Sequence, residues 1–454
     1  MDHFKNQELT VTIEDMSDNG EGIGRSDGYI LFVKDALPGD TVRAKLTKVK
    51  KNYAYARCEE IITPSKDRCE PVCAENRRCG GCQIQALSYE AQLKFKENKV
   101  RNDLIRIGGI EENVIDKAFE PMTGMDDPLR YRNKSQYPVG TDKDGNPVAG
   151  FFAKRTHSII PCTDCMLAPK ENSRILEIIL AHMKDHDISA YDETTGSGCI
   201  RHVLIRKGFA TGQIMVCLVI NDRHLRGQEE LIRELSKIEG MTSICVSINS
   251  KNTNVIMGNE IHTLWGEDTI SDILLKKRFA ISPLSFYQVN PAMVEKLYST
   301  AIEYAQLSGK EEVWDICCGI GTISLCMADK AKTVHGLEIV PEAIEDAKKN
   351  AAANNVTNAD FICAAAEEYL PAHKDEITAD VIVLDPPRKG MDEAALAVIA
   401  DTAPSRIVYV SCDSATLSRD LKYLTGRGYA IKRIRCFDMF PQTVHTETVV
   451  LMKN

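Results

Sequence analysis

The turn around Cys412 is the first place where this sequence could carry chemistry, in the stretch YVSCDSATLSRD. The β-branched run SRIVYV before it predicts a buried strand, and ATLSRDLKYL after it predicts a helix. Because the exposed amides of a first helical turn favour a thiolate, a cysteine at this position could act as a nucleophile. A cysteine that only packs in the core is the alternative at this stage.

A glycine loop, DICCGIGTISL, follows a second predicted strand and opens a helix. Gly319 and Gly321 let the backbone turn sharply and approach a ligand closely. The dinucleotide fingerprint requires a third glycine where this chain has Ser324, which disfavours NAD. Glu338 ends the next strand and could bind both ribose hydroxyls of an adenosine. This combination is typical of S-adenosylmethionine methyltransferases, with a nucleotide-free α/β domain as the alternative.

A third motif, LDPPRKG, places Asp385 at the carboxyl end of another predicted strand. Doubly wound sheets bind their ligands at that edge. Asp-Pro-Pro also occurs in enzymes that methylate exocyclic amines, where an aromatic residue usually follows the prolines. Arg388 stands there instead, which disfavours an amine and leaves a carbon atom as the methyl acceptor.

Methylation of a carbon such as C5 of uracil would give Cys412 a role. C5 is a poor nucleophile until a thiolate adds to C6 and turns the ring into an enolate. A base must then remove the C5 proton so that the thiolate can leave. Glu447 in HTETVVLM opens the last predicted strand and is the candidate base, with His445 as a rival.

The bulk composition bounds the class of protein. A chain of 454 residues predicts two or three domains, and its 16 cysteines exceed what packing in a reducing compartment requires. Apolar runs are too short to cross a bilayer, and the N-terminus lacks the pattern of a signal segment. We therefore expect a cytoplasmic protein, with no membrane association and no obligate protein partner.

A basic segment at Arg43–Arg57 offers a contact for nucleic acid despite the net charge of −9. It contains six lysines and arginines and no acidic residue, and Tyr53 and Tyr55 alternate along a predicted strand. Bases could stack on these rings while the cations hold phosphate. The solvated face of a β-ribbon is the alternative.

The pattern of predicted strands and helices changes twice along the chain. Residues 8–62 alternate apolar and polar positions between glycine-rich turns, which predicts a small OB-like barrel of about five strands. A cysteine-rich segment and a helix near 88–108 follow, and residues 130–275 mix strands and helices. From about residue 280, strands alternate with helices, which predicts a parallel sheet covered on both faces.

The motifs SFYQVN, DICCGIGTISL, DPPRKG, SCDSATLSRD and HTETVV, in this order, resemble the RNA 5-methyluridine methyltransferase family. The N-terminal barrel resembles a TRAM domain, which the rRNA branch of that family carries. The resemblance implies that Cys412 is the nucleophile and Glu447 the general base. It further implies that the cofactor and target-base pocket is lined by Gln288, Cys317, Thr322, Glu338 and Asp385.

The sequence departs from the family pattern at three places. Cys317 stands where the family usually has an aromatic residue, and Ala365 where an acidic residue often caps the adenine amine. Asp413-Ser414 replaces the frequent Asn-Pro after the nucleophile. We expect this last change to alter local rigidity more than chemistry.

The cysteine-rich segment CEPVCAENRRCGGC could bind zinc or an iron–sulfur cluster. Within this segment only Cys79 and Cys82 form a Cys-x-x-Cys pair, whereas zinc knuckles usually come as two such pairs. The resemblance to the rRNA branch implies a [4Fe-4S] cluster. Its ligands by position are Cys73, Cys79, Cys82 and Cys165, with Cys69 and Cys162 as near neighbours that could be mistaken for ligands.

We interpret the chain as a multidomain enzyme in three parts. These are a TRAM-like β-barrel (1–62), a central α+β iron–sulfur domain (63–278) and a Rossmann-like α/β methyltransferase domain (279–454). The expected function is S-adenosylmethionine-dependent methylation of C5 of a flipped-out uridine in 23S rRNA through a covalent adduct between Cys412 and C6. The alternatives are the same chemistry on tRNA, a non-catalytic RNA-binding or assembly factor, and an iron–sulfur redox enzyme.

Overall fold

The computed structural model describes residues 3–154 and 156–454. The chain forms two compact units. The first unit comprises Met1–Lys96, Phe151–Ile160 and Phe440–Val444, and the second comprises Glu97–Gly150, Pro161–Met439 and His445–Asn454. The predicted boundaries at residues 62/63 and 278/279 remain a prediction about which segments fold separately.

The first unit contains a closed barrel with the strand order β1-β2-β3-β5-β4. Its strands are β1 (Glu8–Met16), β2 (Gly22–Ser26), β3 (Tyr29–Lys34), β4 (Thr41–Val49) and β5 (Tyr53–Thr63). Alternate positions point inward and form a core of small and branched side chains, including Val11, Leu31 and Val42. The five-stranded barrel predicted from the alternating sequence is therefore confirmed.

The cysteine-rich segment after the barrel has turns and bends but no strand of its own. It leads into α1 (Tyr89–Arg106), close to the helix predicted at 88–108. A short helix, α2 (Glu112–Ala118), follows in the second unit.

A seven-stranded sheet spans most of the middle of the chain, in the order β12-β11-β10-β9-β6-β7-β8. Its strands are β6 (Lys134–Thr141), β7 (Pro147–Phe152), β8 (Ile159–Pro161), β9 (Ile200–Lys207), β10 (Ile214–Ile220), β11 (Met241–Ile248) and β12 (Glu260–Gly266). The helices α3 (Glu171–Asp185) and α4 (Gln228–Leu235) and the hairpin β13 (Ile270–Leu274) and β14 (Lys277–Ile281) complete this region. The predicted mixture of strands and helices is observed.

The C-terminal part forms a second seven-stranded sheet in the order β17-β16-β15-β18-β19-β21-β20. Its strands are β15 (Glu312–Ile316), β16 (Thr333–Glu338), β17 (Ala359–Cys363), β18 (Val381–Leu384), β19 (Arg406–Ser411), β20 (Ala430–Phe437) and β21 (Glu447–Lys453). Its helices are α5 (Pro291–Ala305), α6 (Thr322–Ala328), α7 (Pro341–Ala353), α8 (Ala366–Ala372), α9 (Glu393–Asp401) and α10 (Ser414–Thr425).

The prediction of a parallel sheet is wrong at one end. The strands β15 to β19 pair in parallel, but β21 pairs antiparallel with both β19 and β20. The strand β20 was not predicted, because Lys432, Arg433 and Arg435 interrupt its apolar pattern. The reversal matters for function, since the first residue of β21 lies at the edge of the sheet where the parallel strands end.

No helix among the described residues is long and apolar enough to span a membrane.

Candidate active site

The glycine loop after β15 is held close to the end of β16. The amides of Cys317 and Cys318 both donate to the carbonyl of Leu337, at 2.8 and 3.1 Å. Cys317, Gly319 and Gly321 have positive φ angles of 70°, 56° and 78°, which gives the loop its sharp turn. A Cβ atom added to Gly319 would meet nothing within 4 Å, so this side of the loop is open to a ligand.

Ser324 and Asp315 explain the departure from the dinucleotide fingerprint. The Ser324 hydroxyl donates to Oδ2 of Asp315, which is fully buried at the end of β15. Burial raises the pKa of Asp315 to about 6. Its Oδ1 atom has no hydrogen-bond partner among the described residues. A glycine at position 324 would keep only the backbone hydrogen bond to this carboxylate and lose that of the hydroxyl, so the serine has a structural reason.

Glu338 lies at the end of β16, where the sequence predicted a ribose-binding carboxylate. Its Oε2 accepts a hydrogen bond from the Gly319 amide at 3.1 Å, and its Oε1 accepts one from Val340 at 3.0 Å. The next residue, Ile339, is 60% exposed and offers an apolar surface beside the carboxylate. Sequence reasoning missed Ile339, although its position directly after an acidic strand end was visible in HGLEIV.

Thr322 and Gln288 are fixed by neighbouring elements. Thr322 begins α6, and its hydroxyl is hydrogen-bonded at 3.3 Å to the hydroxyl of the buried Tyr298 on α5. Gln288 lies in the loop after β14, where its carbonyl accepts from the Asn133 side chain at 2.9 Å. The contribution of Tyr298 and Asn133 could not be read from the motifs, because both lie far from them in sequence.

Asp385 follows β18 directly, and its amide donates to the carbonyl of Ile316 at 3.3 Å. Burial, and then the negative charge of Asp315, raise the pKa of Asp385 to about 7. The carboxyl ends of β15, β16, β18 and β19 thus bring Cys317, Glu338, Asp385 and Cys412 to one edge of the sheet.

Cys412 and Glu447 are brought together by the antiparallel register of β19 and β21. Ser411 pairs with Thr448, so the next step along the two strands sets Cys412 against Glu447. Cys412 is half-buried, and Glu447 is 3% exposed. The rival base His445 lies two residues before β21 and is also half-buried.

The thiol of Cys412 is not activated by the helix that follows it. The amides of Ala415 and Thr416 in the first turn of α10 donate to the Asp413 carboxylate at 3.1 and 3.0 Å. Burial, and then the charges of Glu447 and Asp385, raise the pKa of Cys412 to about 12. The expectation that free helical amides favour a thiolate is therefore wrong, because Asp413 already occupies them.

Glu447 occupies an environment that disfavours its charged form. Burial, followed by the charge of Asp385, raises the pKa of Glu447 well above its ordinary value. The cation of Arg388 opposes this rise, and it also lowers the pKa of Cys412. Arg388 is thus the positive charge that faces the thiol and the carboxyl together.

The loop that carries Asp385 and Arg388 is clamped by α10. Arg419 donates to the carbonyls of Lys389 and Met391, at 3.0 and 3.1 Å, and to the Asp420 carboxylate at 2.8 Å. Asp420 is fully buried and accepts from the Met391 amide at 2.8 Å. The pair Arg419-Asp420 was visible in SCDSATLSRD, but its partners could not be inferred from that motif.

Two further contacts complete this clamp. Thr416 donates to the carbonyl of Arg388 at 3.0 Å, and the Tyr409 hydroxyl donates to Asp420 at 2.6 Å. Gly390 has a φ of +73°, and a Cβ there would lie 2.6 Å from the Arg419 guanidinium and 2.7 Å from the Asp420 carboxylate. The loop therefore depends on a glycine at 390 and on the helix that begins beside Cys412.

The four predicted cluster ligands are divided between the two units. Cys73, Cys79 and Cys82 belong to the first unit and Cys165 to the second, and all four are half-buried. The Gly81 amide donates to Sγ of Cys79 at 3.4 Å. Within residues 3–154 and 156–454, no group of three or more His, Cys, Asp or Glu side chains is arranged to hold a metal ion. The iron–sulfur domain is therefore not shown by the geometry.

Cys69 differs from these four cysteines. Its thiol donates to the carbonyl of Gln85 at 3.6 Å, and burial raises its pKa. Both features fit a protonated thiol better than a metal-bound thiolate.

Comparison with known proteins identifies the family. Residues 211–454 match the model of the tRNA (uracil-5-)-methyltransferase family, and residues 3–58 match the TRAM domain. An uncharacterized RNA methyltransferase of Listeria monocytogenes is 47% identical over 449 residues, which cover 99% of this chain and 98% of that protein. An uncharacterized RNA methyltransferase of Clostridium tetani is 46% identical over 450 residues, covering 99% and 96% of the two chains.

A solved structure is similar over nearly the whole chain. It is the tRNA (uracil-54, C5)-methyltransferase of Pyrococcus abyssi in complex with S-adenosyl-L-homocysteine. The TM-score is 0.77 at 26% sequence identity, with 98% of this chain and 100% of that chain covered. The chain is therefore an enzyme that belongs to the S-adenosylmethionine-dependent uracil-5 RNA methyltransferase family and carries an N-terminal TRAM domain.

Proposed function

We propose that this enzyme methylates C5 of a uridine in 23S rRNA through a covalent adduct between Cys412 and C6. The observation that best supports the covalent route is the β19–β21 register, whose last pair, Ser411 with Thr448, leaves Cys412 and Glu447 as the next residues along the two strands. Asp385 and Arg388 face the same pair. A nucleophile, a buried carboxyl and a cation at one sheet edge suit addition to a ring followed by proton removal.

The residues at this edge fit S-adenosylmethionine, which supplies a methyl group on a sulfonium. Glu338 would bind the ribose hydroxyls, and the open face at Gly319 leaves room for the adenosine. Ile339 would pack against the adenine in place of the aromatic residue that Cys317 replaces. Gln288, Cys317, Thr322 and Asp385 would border the same cofactor and the target base.

The roles of the protein groups follow from their environments. The Cys412 thiol would lose its proton to solvent, and its Sγ would then form a bond to C6. C5 would thereby become electron-rich enough to take the methyl group from the sulfonium, whose sulfur leaves as a neutral thioether. The Glu447 carboxylate would then accept the C5 proton, and the C6–sulfur bond would break to restore the thiolate and the aromatic ring. Because burial raises the pKa of Glu447, its carboxylate is a stronger base than an exposed one.

The choice of rRNA rests on the resemblance of the barrel and the cysteine-rich segment to the rRNA branch. The second candidate is a tRNA uridine. It is favoured by the full-length similarity to the Pyrococcus abyssi enzyme, whose described substrate is tRNA uracil-54. The two candidates share one mechanism and differ only in the RNA that presents the uridine.

Labelling distinguishes these candidates. Anaerobically purified protein would be incubated with methyl-labelled S-adenosylmethionine and unmodified rRNA and tRNA, and each RNA digested to nucleosides. Labelled 5-methyluridine in large-subunit rRNA is expected. Labelled 5-methyluridine in tRNA alone would mean that the substrate is tRNA and that the mechanism still holds. Absence of any labelled nucleoside would refute the proposed reaction. C412A should abolish labelling, whereas C199A, at a half-buried thiol outside the site, should not.

We also propose that Cys73, Cys79, Cys82 and Cys165 hold a [4Fe-4S] cluster. The Cys-x5-Cys-x2-Cys spacing supports this, as does the Gly81 amide that donates to Cys79, because cluster sulfurs accept backbone hydrogen bonds. No step of methyl transfer needs the cluster. Iron and acid-labile sulfide in equal amounts are expected in anaerobic protein and should be lost in C79A but kept in C69A. Zinc, or no metal, would overturn the assignment.

A further inference from the structure

Two like charges lie directly opposite each other in the sheet of the second unit. Lys134 on β6 pairs in register with Arg206 on β9. Such pairs destabilise a sheet unless an opposite charge lies nearby. Arg206 is 2% exposed, and its guanidinium donates to the carbonyls of Pro283 and Ser285. Its Nε has no hydrogen-bond partner among the described residues.

A third cation adds to this cluster. Arg132 lies on the same segment as Lys134 and donates to its carbonyl at 3.5 Å. Burial, and then the charges of Arg206 and Arg132, lower the pKa of Lys134 to about 8. No described carboxylate forms an ion pair with any of the three cations. They are referred to below as the Lys134 cluster.

Neighbouring cations are compensated, which makes the Lys134 cluster unusual. Lys207, the residue after Arg206, pairs with Glu171 at 2.7 Å, and Arg130 is held by Asp164. Lys207 and Arg130 thus have carboxylate partners, whereas the described residues provide none for the three cations of the cluster. An anion from outside the protein would remove the imbalance.

The Lys134 cluster adjoins the loop that carries Gln288. Arg206 binds the carbonyls at one end of that loop, and the neighbour of Lys134, Asn133, binds the carbonyl of Gln288. The loop exposes two apolar side chains, Leu284 and Phe286, the latter 68% exposed. Cations beside an exposed ring suit a nucleic-acid backbone with an unstacked base.

We propose that the Lys134 cluster binds a backbone phosphate of the RNA substrate beside the target uridine. Lys134 and Arg132, both half-buried, would contact the phosphate, while the buried Arg206 would strengthen the positive field behind them. The inference rests on the proposed function only in requiring that the ligand is RNA. The carboxylate of the methyl donor is the other anion that could lie here.

The test is RNA binding by K134Q as a function of salt, with K237Q as the charge-matched control at an exposed lysine in the turn after α4. For K134Q we expect affinity for unmodified rRNA fragments to fall roughly 5- to 10-fold near about 0.1 M salt. The slope of log affinity against log salt should decrease in magnitude by about 1. K237Q should retain the affinity and slope of the unchanged enzyme.

Two further measurements exclude the alternatives. K134Q should bind S-adenosylhomocysteine as tightly as the unchanged enzyme, and its melting temperature should be equal or higher because a like-charge contact is relieved. Weaker S-adenosylhomocysteine binding would assign the cluster to the methyl donor, and a lower melting temperature with an unchanged slope would make Lys134 structural. Either result overturns the inference while methylation by the unchanged enzyme still supports the proposed function. An unchanged enzyme that bound no RNA would refute both.

Discussion

At the scale of single residues, the candidate site resembles a set of acids more than a preformed thiolate. Burial raises the pKa of both Cys412 and Glu447. The charge of Glu447 and then that of Asp385 add to the rise at Cys412, and the charge of Asp385 adds to the rise at Glu447. Arg388 is the group that offsets this. The Cys412 thiol therefore becomes a strong nucleophile, and the Glu447 carboxyl a strong base, only after each loses its proton.

Covalent catalysis by Cys412 predicts a trapped complex. RNA containing 5-fluorouridine should form an adduct with the protein that depends on S-adenosylmethionine, because the fluorine at C5 cannot leave as a proton does. The adduct should appear as a band of reduced mobility that survives denaturation. C412A should give no adduct, and active enzyme that also gave none would contradict the covalent route.

Glu447 should reduce stability in exchange for function. A carboxyl whose pKa is raised by folding stabilises the protein most below its unfolded pKa, and that contribution is lost as the pH rises. The stability advantage of E447Q over the unchanged enzyme should therefore grow as the pH rises from 5 to 8. Melting temperatures at the two pH values measure this. The control is E342Q, a substitution at an exposed carboxylate, which should show no such pH-dependent gain. Absence of the gain in E447Q as well would mean that folding does not raise the pKa of Glu447.

Arg419 should act as a positioning residue for the loop 385–391. R419Q removes the hydrogen bonds to the carbonyls of Lys389 and Met391 but leaves Asp420 in place. We expect kcat to fall about 10-fold through misplacement of Arg388, with little change in KM for the methyl donor. Methylation kinetics measure this, and R419K should recover part of the activity. R427Q, at a cation near the end of the same helix, should behave normally, and a normal R419Q would contradict the role.

At the scale of elements, the reversed strand β21 is what completes the site. Parallel strands deliver their last residues to the ligand edge, whereas an antiparallel strand delivers its first, so Glu447 arrives beside Cys412. A slip of one residue in this register would turn Glu447 to the other face of the sheet. The sequence pattern predicts that Glu447 begins a strand. The direction of that strand in the sheet depends on its pairing with β19 and β20.

The outer face of β3 and β5 presents a three-ring surface, formed by Phe32, Tyr53 and Tyr55. The ring centroids are 5.6–5.7 Å apart, and the parallel register sets Phe32 opposite Tyr55 and Lys34 opposite Arg57. Rings that lie together on one face could stack on unpaired bases, and the neighbouring cations could contact the phosphates.

Loss of these rings should weaken RNA binding. The double variant Y53L/Y55L keeps apolar bulk but removes two stacking surfaces, so we expect affinity for rRNA fragments to fall at least about 5-fold. The slope against salt should remain unchanged, since no charge is lost. F4L, at an exposed ring elsewhere in the first unit, is the control. Unchanged affinity would favour the solvated β-ribbon.

At the scale of the whole molecule, local basic regions occur in a chain whose net charge is negative. The chain carries a net charge of −9, yet the segment Arg43–Arg57 contains no acidic residue of its own, and Lys134 lies opposite Arg206 in the sheet. Net charge therefore predicts little about the partner, because phosphate contacts depend on local fields.

The grouping into compact units is also a property of the whole chain. Segments around residues 151–160 and 440–444 join the barrel and the cysteine-rich segment in the first unit, although they lie far along the sequence. Changes in composition predicted contiguous domains, and no local pattern could indicate these distant additions. Membership of a unit is decided by contacts, which composition does not record.

The sequence by itself determined the barrel, the alternation of strands and helices, the glycine loop and the positions of Cys412, Glu338, Asp385 and Glu447 at element ends. These features follow from local periodicity and turn chemistry, which each segment carries alone. Tertiary structure decided which groups meet. It brought Arg419 and Asp420 to the loop 385–391, and Arg206 opposite Lys134. The physical reason is that pKa values, charge balance and strand direction depend on neighbours distant in sequence, whose identity only the folded pairing supplies.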